Sequence, residues 1–412
     1  MLHATTPGLP ARLATGRPIA GYNGFDPSGP SLHIGSLVPI FGLLQFQLHG
    51  GTPVVLVGGG TGMIGDPSGA SAERNLLDRD ALEANVASIR AQLERFLDFS
   101  TGGAGAVLVN NLDWLGETGL IDFLRDTGKH FTVPYMLAKD SVQTRLDRGL
   151  SFTEFSYMLL QAADFEHLNR TMRVELQMGG ADQWGNITAG LELIRRKAGG
   201  AEGEDLAHGL SYPLLLSPSG TKFGKSEAGE SVWLDAERTS PYAFYQYWLT
   251  TDDRDVGTYL RWFTLKSREE IEALQAELQA APETRAAQRA LADDITTRVH
   301  GEAETARAVS ASEAAFSGQP LVDPDVLRTL HDYADGFDFT SEQRRAGMAR
   351  FLVDAGVFAS LGEARRLIAG GGLTVGDVRV MSPDDAVPEP VTGEWLAVRI
   401  GKRKLRVGRL AR

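Results

Sequence analysis

The sequence predicts an α/β fold, in which a parallel β-sheet is covered by helices on both faces and is followed by an all-helical domain and a small α+β module. Short β-rich runs alternate with helical patterns over the first half of the 412 residues, as is typical of parallel sheets. After Glu230 the pattern becomes helical, with abundant Ala, Glu and Arg. Basic residues are concentrated near the end, in a region with both helical and β-like runs.

The elements of the first half follow from residue type and periodicity. Residues Thr52 to Val57 are predicted as a buried strand because they are rich in β-branched side chains. The apolar run from Leu32 to Leu48 is predicted as a helix that ends before Gly50 and Gly51. The other predicted strands are Arg17 to Phe25, Ala106 to Val109, Val174 to Met178 and Tyr212 to Leu216, and the other predicted helices are Ala72 to Phe96 and Asn186 to Lys197.

Changes of pattern divide the rest of the chain. Helices are predicted over Thr239 to Leu265 and Glu269 to Ala311, whereas the acidic, weakly patterned stretch from Ser317 to Gln343 is interpreted as a linker. Two short helices and the β-like runs Leu373 to Val380 and Trp395 to Val407 follow. We therefore predict an α/β domain over residues 1–229, a helical domain over 230–316, a linker over 317–343 and a C-terminal module over 344–412.

Composition excludes several classes of protein. The chain has no cysteine, which excludes disulfide frameworks and thiolate metal sites and fits a cytoplasmic location. We expect no secretory signal, because the stretch from Met1 to Arg17 contains no continuous apolar run, and no later run approaches the ~20 apolar residues that span a membrane. The net charge is −12, but residues 341–412 carry 13 Lys or Arg against 8 Asp or Glu, so the first 340 residues carry −17. This asymmetry indicates a nucleic-acid-binding module on an acidic body, although a solvated basic tail would give the same count.

The glycine-rich stretch from Gly60 to Gly65 matches a dinucleotide-binding fingerprint but not its context. Pro67 discourages the helix that should begin at the third glycine. A loop that lets backbone approach a substrate, with Asp66 available to bind a cation, is the preferred interpretation. An NAD-dependent oxidoreductase would also need a catalytic pair for hydride transfer, and none accompanies this loop.

Two other motifs favour the binding of a nucleoside triphosphate. The stretch YNGFDPSGPSLHIGS, from Tyr22 to Ser36, places His33 in the first turn of a helix, where unpaired backbone N–H groups attract phosphate. The stretch KFGKS, from Lys222 to Ser226, puts two lysines on a glycine-containing loop, as a cationic clamp for a departing pyrophosphate. A lone His33 would more often be a helix cap. The two motifs together, with a parallel sheet between them, strongly favour a site for a nucleoside triphosphate.

The two motifs resemble the His-Ile-Gly-His and Lys-Met-Ser-Lys-Ser signatures of class I aminoacyl-tRNA synthetases, which have a Rossmann-like catalytic domain. The stretches GMIGDPSG, FLRDTGKHFTV, FTEFSYMLLQAADF and LQMGGADQWGNI are similar to bacterial tyrosyl-tRNA synthetases, in the same order over nearly the whole chain. Ser36 replaces the second histidine of the first signature, so we expect activity to survive with altered ATP contacts. The segment before Tyr22 is shorter than usual, which leaves the presence of an N-terminal helix open.

The resemblance implies a pocket for free tyrosine. A phenol hydroxyl can donate to the carboxylate of Asp164 while it accepts from the hydroxyl of Tyr22. Tyr157, Gln161 and Asp164 are spaced i, i+4 and i+7, which places them on one face of a helix. The residues implied for tyrosine are Tyr22 and Asp164 at the phenol, Asp66, Tyr157 and Gln161 at the ammonium group, and Gln183 near the carboxylate.

The resemblance also implies a reaction and its partners. The tyrosine carboxylate would attack the α-phosphate of ATP, supplied with Mg²⁺, and the terminal adenosine of tRNA would then take the tyrosine from the adenylate. We expect no covalent enzyme intermediate, no tightly bound cofactor and no resident metal, with His33, Lys222 and Lys225 stabilising the transition state. A homodimer is implied as well. The residues implied for ATP are Asn23, Asp26, Ser28, His33, Gly35, Ser36, Gly180, Asp182, Lys222, Lys225 and Ser226, and those implied for RNA are Arg365, Arg366, Lys402, Arg403 and Lys404.

Two alternatives stay open at this point. A tryptophanyl-tRNA synthetase is the nearest, and the pairing of Tyr22 with Asp164 argues against it, as does the C-terminal module. An inactive synthetase-like protein that only binds RNA is favoured slightly by Ser36 and opposed by the intact His33 and lysine motif.

Overall fold

The computed structural model describes residues 2–66, 79–100, 102–139, 142–143, 146, 149–200, 206–215, 223, 231–317, 319–401 and 404–411. The chain forms two compact units, Met1–Asp235 and Ala236–Arg412. Among the residues just given, no helix has both the length and the apolar character needed to span a membrane.

The first unit contains one six-stranded sheet. Its strands are β1 (Ala4–Thr5), β2 (Ala20–Phe25), β3 (Thr52–Val57), β4 (Val107–Asn110), β5 (Val174–Gly180) and β6 (His208–Tyr212). The order is β1-β6-β5-β2-β3-β4, and neighbouring strands are parallel except β1 with β6. The strand order reverses between β2 and β5, because β3 lies on one side of β2 and β5 on the other. Open parallel sheets bind ligands at such a point, beyond the carboxyl ends of the strands.

The helices of the first unit cover this sheet. They are α1 (Leu9–Ala14), α2 (Leu37–Leu48), α3 (Arg79–Leu93), α4 (Leu112–Leu115), α5 (Leu120–Asp126), α6 (Val133–Leu137), α7 (Phe152–Met172) and α8 (Trp184–Lys197). Helix α7 begins with a capping box formed by Ser151 and Glu154. It packs closely against α8, because a Cβ atom at Gly190 would lie only 2.9 Å from the ring of Phe165. Only glycine at position 190 therefore allows α7 and α8 to approach this closely.

The second unit contains helices followed by a five-stranded sheet. The helices are α9 (Pro241–Leu249), α10 (Asp253–Phe263), α11 (Arg268–Ala280), α12 (Ala286–His300), α13 (Glu302–Phe316), α14 (Pro324–Tyr333), α15 (Ser341–Arg344), α16 (Met348–Asp354) and α17 (Leu361–Ala369). The strands are β7 (Phe337–Phe339), β8 (Leu373–Val375), β9 (Val378–Arg379), β10 (Trp395–Ile400) and β11 (Lys404–Leu410), in the order β7-β11-β10-β8-β9.

The predicted fold class is confirmed, with a mostly parallel sheet, a run of helices and a second sheet near the C-terminus. One strand was placed wrongly. The sequence predicts a strand from Tyr212 to Leu216, whereas β6 ends at Tyr212. Its residues HGLSY lack the apolar run that marks a buried strand, and β6 forms because it pairs with β5 from Leu176 to Gly180.

Two further segments contain more structure than the sequence indicates. Helix α1 is present before Tyr22, where Arg12 forms an ion pair with Glu175 at 2.6 Å. The stretch interpreted as a linker contains α14 and β7, and β7 pairs in parallel with β11. The stretch is interpreted as a linker because its composition is acidic, but it contains a buried apolar helix face and the two buried aromatic residues Phe337 and Phe339.

Candidate active site

A cavity of about 600 Å³ opens at the carboxyl ends of β2 and β5, where the strand order reverses. Ser28, which was implied for ATP, is exposed and does not line this cavity. Lys222, Lys225 and Ser226 lie outside the described residues. The implied residues that line the cavity are Tyr22, Asn23, Asp26, His33, Gly35, Ser36, Asp66, Tyr157, Gln161, Asp164, Gly180, Asp182 and Gln183.

The carboxylate of Asp164 is buried in the wall of this cavity and is held by two donors. Asn111 donates from Nδ2 to Oδ2 at 2.9 Å, and Trp114 donates from Nε1 to Oδ1 at 2.8 Å. Burial raises the pKa of Asp164 to about 7, while these two hydrogen bonds act in the opposite direction. Sequence reasoning missed Asn111 and Trp114. Their position directly after a predicted strand was the available signal, since side chains at the carboxyl end of a parallel strand meet the site.

The hydroxyl of Tyr22 is a buried polar group near this carboxylate. Tyr22 is 1% exposed, its ring packs against Phe165 with centroids 5.3 Å apart, and its hydroxyl has no hydrogen-bond partner among the described residues. Burial, and then the charge of Asp164, raise the pKa of Tyr22 well above its usual value, so the phenol stays protonated. The neutral hydroxyl of Tyr22 and the carboxylate of Asp164 therefore lie in the same part of the cavity.

Asp26, at the end of β2, holds Tyr157 of α7 in place. The Tyr157 hydroxyl donates to Oδ2 of Asp26 at 2.7 Å, and the hydroxyl of Thr61 donates to Oδ1 at 2.9 Å. Burial, followed by the charges of Asp26 and Asp66, raises the pKa of Tyr157 well above its usual value. Thr61 also accepts a hydrogen bond from Asn111, so this network joins the network around Asp164.

A chain of amide side chains forms another part of the wall. Gln183 donates to Oδ2 of Asp66 at 2.7 Å and accepts from Nε2 of Gln161 at 3.3 Å. Asn186 of α8 donates to the carbonyl oxygens of Gln161 and Gln183, at 2.9 and 3.1 Å. The carboxylate of Asp66 and the amides that orient it thus form a second polar part of the cavity lining, which offers acceptor atoms to a cationic group.

His33 lies just before a helix rather than in its first turn. It is the N-cap of a 3₁₀ turn (Ile34–Ser36) that leads into α2, and its backbone is extended, with φ −122° and ψ 171°. Its Nδ1 accepts a hydrogen bond from the backbone N–H of Gly35 at 3.0 Å. The imidazole therefore caps the turn, and at the same time it lines the cavity beside Ser36.

The residues implied for RNA are exposed wherever the structure describes them. Arg365 and Arg366 are exposed on α17, and Lys404 is exposed at the start of β11, 3.8 Å from Asp335. Arg406, by contrast, is 9% exposed and donates to backbone carbonyl oxygens of the module. Lys402 and Arg403 lie outside the described residues.

Comparison with known proteins identifies the family. The sequence profile described as tRNA synthetases class I (W and Y) matches residues 14–317. The chain is 52% identical over 408 residues to the tyrosine–tRNA ligase of Anaeromyxobacter dehalogenans, covering 98% of this chain and 95% of that one. It is 49% identical to the tyrosine–tRNA ligase of Bacillus caldotenax, over 93% of this chain and 90% of that one.

A solved structure agrees with this assignment. The mitochondrial tyrosyl-tRNA synthetase of Aspergillus nidulans, truncated at its C-terminus, superposes with a TM-score of 0.68 at 29% identity, covering 77% of this chain and 91% of that chain. Three findings support the same family: about half of the residues are identical to those of the two ligases over nearly the whole chain, the family profile matches most of the chain, and the fold is shared. The chain belongs to the class I tRNA synthetases of the tryptophan and tyrosine family.

Proposed function

We propose that this chain is a tyrosine–tRNA ligase, which activates L-tyrosine with ATP and transfers it to the 3′ end of its tRNA. The observation that carries the proposal is the placement of the Tyr22 hydroxyl and the Asp164 carboxylate together in the cavity wall. A substrate phenol donates to the carboxylate and accepts from the hydroxyl, so it satisfies both groups. Phenylalanine would leave both without that partner, and an unpaired buried polar group is costly.

The other end of the amino acid meets the amide network. We assign the ammonium group to Asp66, Tyr157 and Gln161, because these residues line the cavity and offer acceptor atoms. Gln183 lies between Asp66 and Gln161, and we assign it to the carboxylate end. This arrangement leaves the carboxylate directed towards the nucleotide part of the cavity.

The nucleotide would lie at the point where the strand order reverses. Asn23, Gly35, Ser36, Gly180 and Asp182 line this region, and we assign the ribose hydroxyls to Asp182. Ser36 offers a hydroxyl where the family signature has a second imidazole. Magnesium would arrive as part of the ATP substrate. Among the described residues, no cluster of three or more His, Asp or Glu side chains is arranged to hold a metal ion of its own.

The proposed chemistry relies on position and charge. The tyrosine carboxylate attacks the α-phosphate and pyrophosphate leaves. The tRNA adenosine hydroxyl then attacks the carbonyl of the adenylate, the acyl–phosphate bond breaks, AMP leaves, and the hydroxyl proton is released to solvent. Because Nδ1 of His33 accepts the Gly35 N–H, the proton of the neutral ring lies on Nε2, where it can be donated to a phosphate oxygen. We assign Lys222 and Lys225 to the departing pyrophosphate from the motif alone.

We further propose that tRNA contacts the C-terminal module and that the protein is a cytoplasmic homodimer. Arg365, Arg366 and Lys404 suit contacts to the RNA backbone, as their exposure allows. A second copy would cover an apolar surface on α5, α6 and the start of α7, which belong to elements packed around one buried cluster. Its exposed residues are Leu120 (71%), Ile121 (73%), Leu124 (48%), Val133 (59%) and Phe152 (78%).

Amino-acid-dependent exchange of pyrophosphate into ATP, measured without tRNA, tests the proposal. Exchange with tyrosine and none with tryptophan or phenylalanine is the expected result. Exchange with tryptophan would contradict the assignment of the pocket. No exchange with any amino acid would favour an inactive RNA-binding protein, and restoring a histidine by Ser36→His would then show whether the missing imidazole is the cause.

A further inference from the structure

The backbone of His33 is fixed by a segment that has no part in the site described so far. Residues His33 and Trp233 face each other in an isolated antiparallel bridge. The flanking hydrogen bonds run from Ile34 N to Val232 O and from Leu234 N to Leu32 O, both at 2.9 Å. The bridge holds His33 in its extended conformation, which keeps it out of the helix that follows.

The side chains of His33 and Trp233 are also in contact. Their rings are arranged edge to face, with centroids 6.2 Å apart and planes at 73°. The six-membered ring of the indole also lies near Gly29, in the turn that precedes His33, where a Cβ atom would be 3.9 Å from Cη2 and Cζ3 of Trp233. Trp233 thus spans the turn and the imidazole, and it is itself half-buried.

The imidazole also contacts the backbone of Gly35. Besides the hydrogen bond from Gly35 N to Nδ1, a Cβ atom at this position would lie 2.7 Å from Cε1 of His33, so only glycine leaves room for the ring. The imidazole is therefore restrained by contacts with both the Gly35 backbone and the Trp233 indole. Rotation of the ring would break the Nδ1 hydrogen bond, which sets the tautomer with the proton on Nε2.

We infer that Trp233 is a positioning residue for His33: its indole confines the imidazole so that Nε2–H stays directed at the phosphate that His33 binds. This inference rests on the proposed function, because it requires His33 to act on a phosphate of ATP. An edge-to-face aromatic pair changes an equilibrium by about 2- to 12-fold. The expected effect of losing the indole is accordingly a fall of about 3- to 10-fold in kcat for tyrosine-dependent pyrophosphate exchange.

The test compares Trp233→Ala in two backgrounds, the natural chain and His33→Ala. In the natural chain, kcat should fall while the KM for tyrosine changes less than about 2-fold, because the amino-acid pocket is untouched. In the His33→Ala background the same substitution should change kcat less than about 2-fold, since there is no imidazole left to position. Trp233→Phe retains an aromatic edge and should restore most of the activity.

The outcomes distinguish positioning from mere structural support. Equal losses from Trp233→Ala in both backgrounds, or a loss that Trp233→Phe fails to restore, would overturn the inference. If Trp233→Ala does not fold, Trp233→Leu keeps apolar bulk over Gly29 and allows the same comparison. Absence of exchange in the unaltered protein would instead refute the proposed function, and the inference with it.

Discussion

The hydroxyl of Tyr22 lends itself to a quantitative prediction, because it is buried without a partner among the described residues. Such a group costs about 1–3 kcal/mol in the folded state. Tyr22→Phe removes the hydroxyl and keeps the ring against Phe165, leaving a gap only the size of one oxygen atom. We therefore expect the substrate-free protein to gain about 1 kcal/mol, the lower end of that range. For a unit of the size of Met1–Asp235 this corresponds to a rise of about 2–4 °C in Tm.

The same substitution should weaken tyrosine binding. The phenol of the substrate would lose one neutral hydrogen bond, worth about 0.5–1.5 kcal/mol, so Kd should rise about 2- to 12-fold. Thermal unfolding without substrates gives the stability, and equilibrium dialysis with labelled tyrosine gives the affinity. The two quantities are expected to move in opposite directions, which a general disturbance of the fold would not produce.

Tyr157→Phe is the matched control. Tyr157 is also buried on the cavity wall, but its hydroxyl donates to Asp26 at 2.7 Å. Its removal should lower stability by about 1.5–3 kcal/mol, the usual range for a hydrogen bond to a charged group. If Tyr22→Phe lowered Tm as much as Tyr157→Phe does, the Tyr22 hydroxyl would have a partner in the free protein, and the reasoning would be refuted.

Three further predictions concern the pocket, the helix packing and the assembly. Because the pKa of Asp164 is raised from 3.8 to about 7, the free energy of unfolding should fall as pH rises from about 4 to 7, and the Kd for tyrosine should rise as pH falls through about 7. Asp164→Asn should abolish both trends. If denaturation curves of this variant still showed the stability trend, the trend would belong to another titrating group. Gly190→Ala should lower the free energy of unfolding, measured by thermal unfolding, by about 1–3 kcal/mol through overpacking. The control is Gly185→Ala on the same helix, where a Cβ atom would lie 3.8 Å from its nearest neighbour, and its loss of stability should be less than half as large. Ile121→Asp, at a residue 73% exposed, should convert a dimer to monomers in sedimentation without lowering the Tm of the monomer, and an unchanged mass would place the interface elsewhere.

How far the sequence predicts the site depends on how local each feature is. Tyr157, Gln161 and Asp164 were predicted to share a helix face, and α7 contains all three, because helical spacing is a local property. Asn111 and Trp114 reach Asp164 only because β4 takes its place beside β3 at the edge of the sheet. Their position after a predicted strand indicates that they lie near the site, but the order of strands is not encoded in any short stretch, so their hydrogen bonds to Asp164 could not be predicted from sequence.

The position of His33 relative to the helix that follows it also depends on a long-range contact. The glycine- and proline-rich turn before it predicts a helix start, and α2 does begin nearby, at Leu37. The residue itself is held outside the helix by its bridge with Trp233, a partner from the far end of the unit. A pattern rule gives the position of a helix boundary, but a long-range contact decides which side of it a given side chain lies on.

The part of the proposed site that recognises the phenol also contains polar groups that oppose folding. The Tyr22 hydroxyl, which has no hydrogen-bond partner among the described residues, and the Asp164 carboxyl, whose pKa is raised, both oppose folding. The adjoining apolar cluster, which includes Phe165, Leu168 and Val54, offsets this cost. A substrate phenol would relieve both groups at once, so part of the selectivity for tyrosine over phenylalanine is already present as strain in the empty pocket. It follows that substitutions which satisfy either group internally should stabilise the free protein and narrow the difference in affinity between tyrosine and phenylalanine. Among variants of Tyr22 and Asp164, the stability of the free protein should therefore be anticorrelated with the preference for tyrosine over phenylalanine. Among variants of the amide network around Asp66, the two quantities should be uncorrelated.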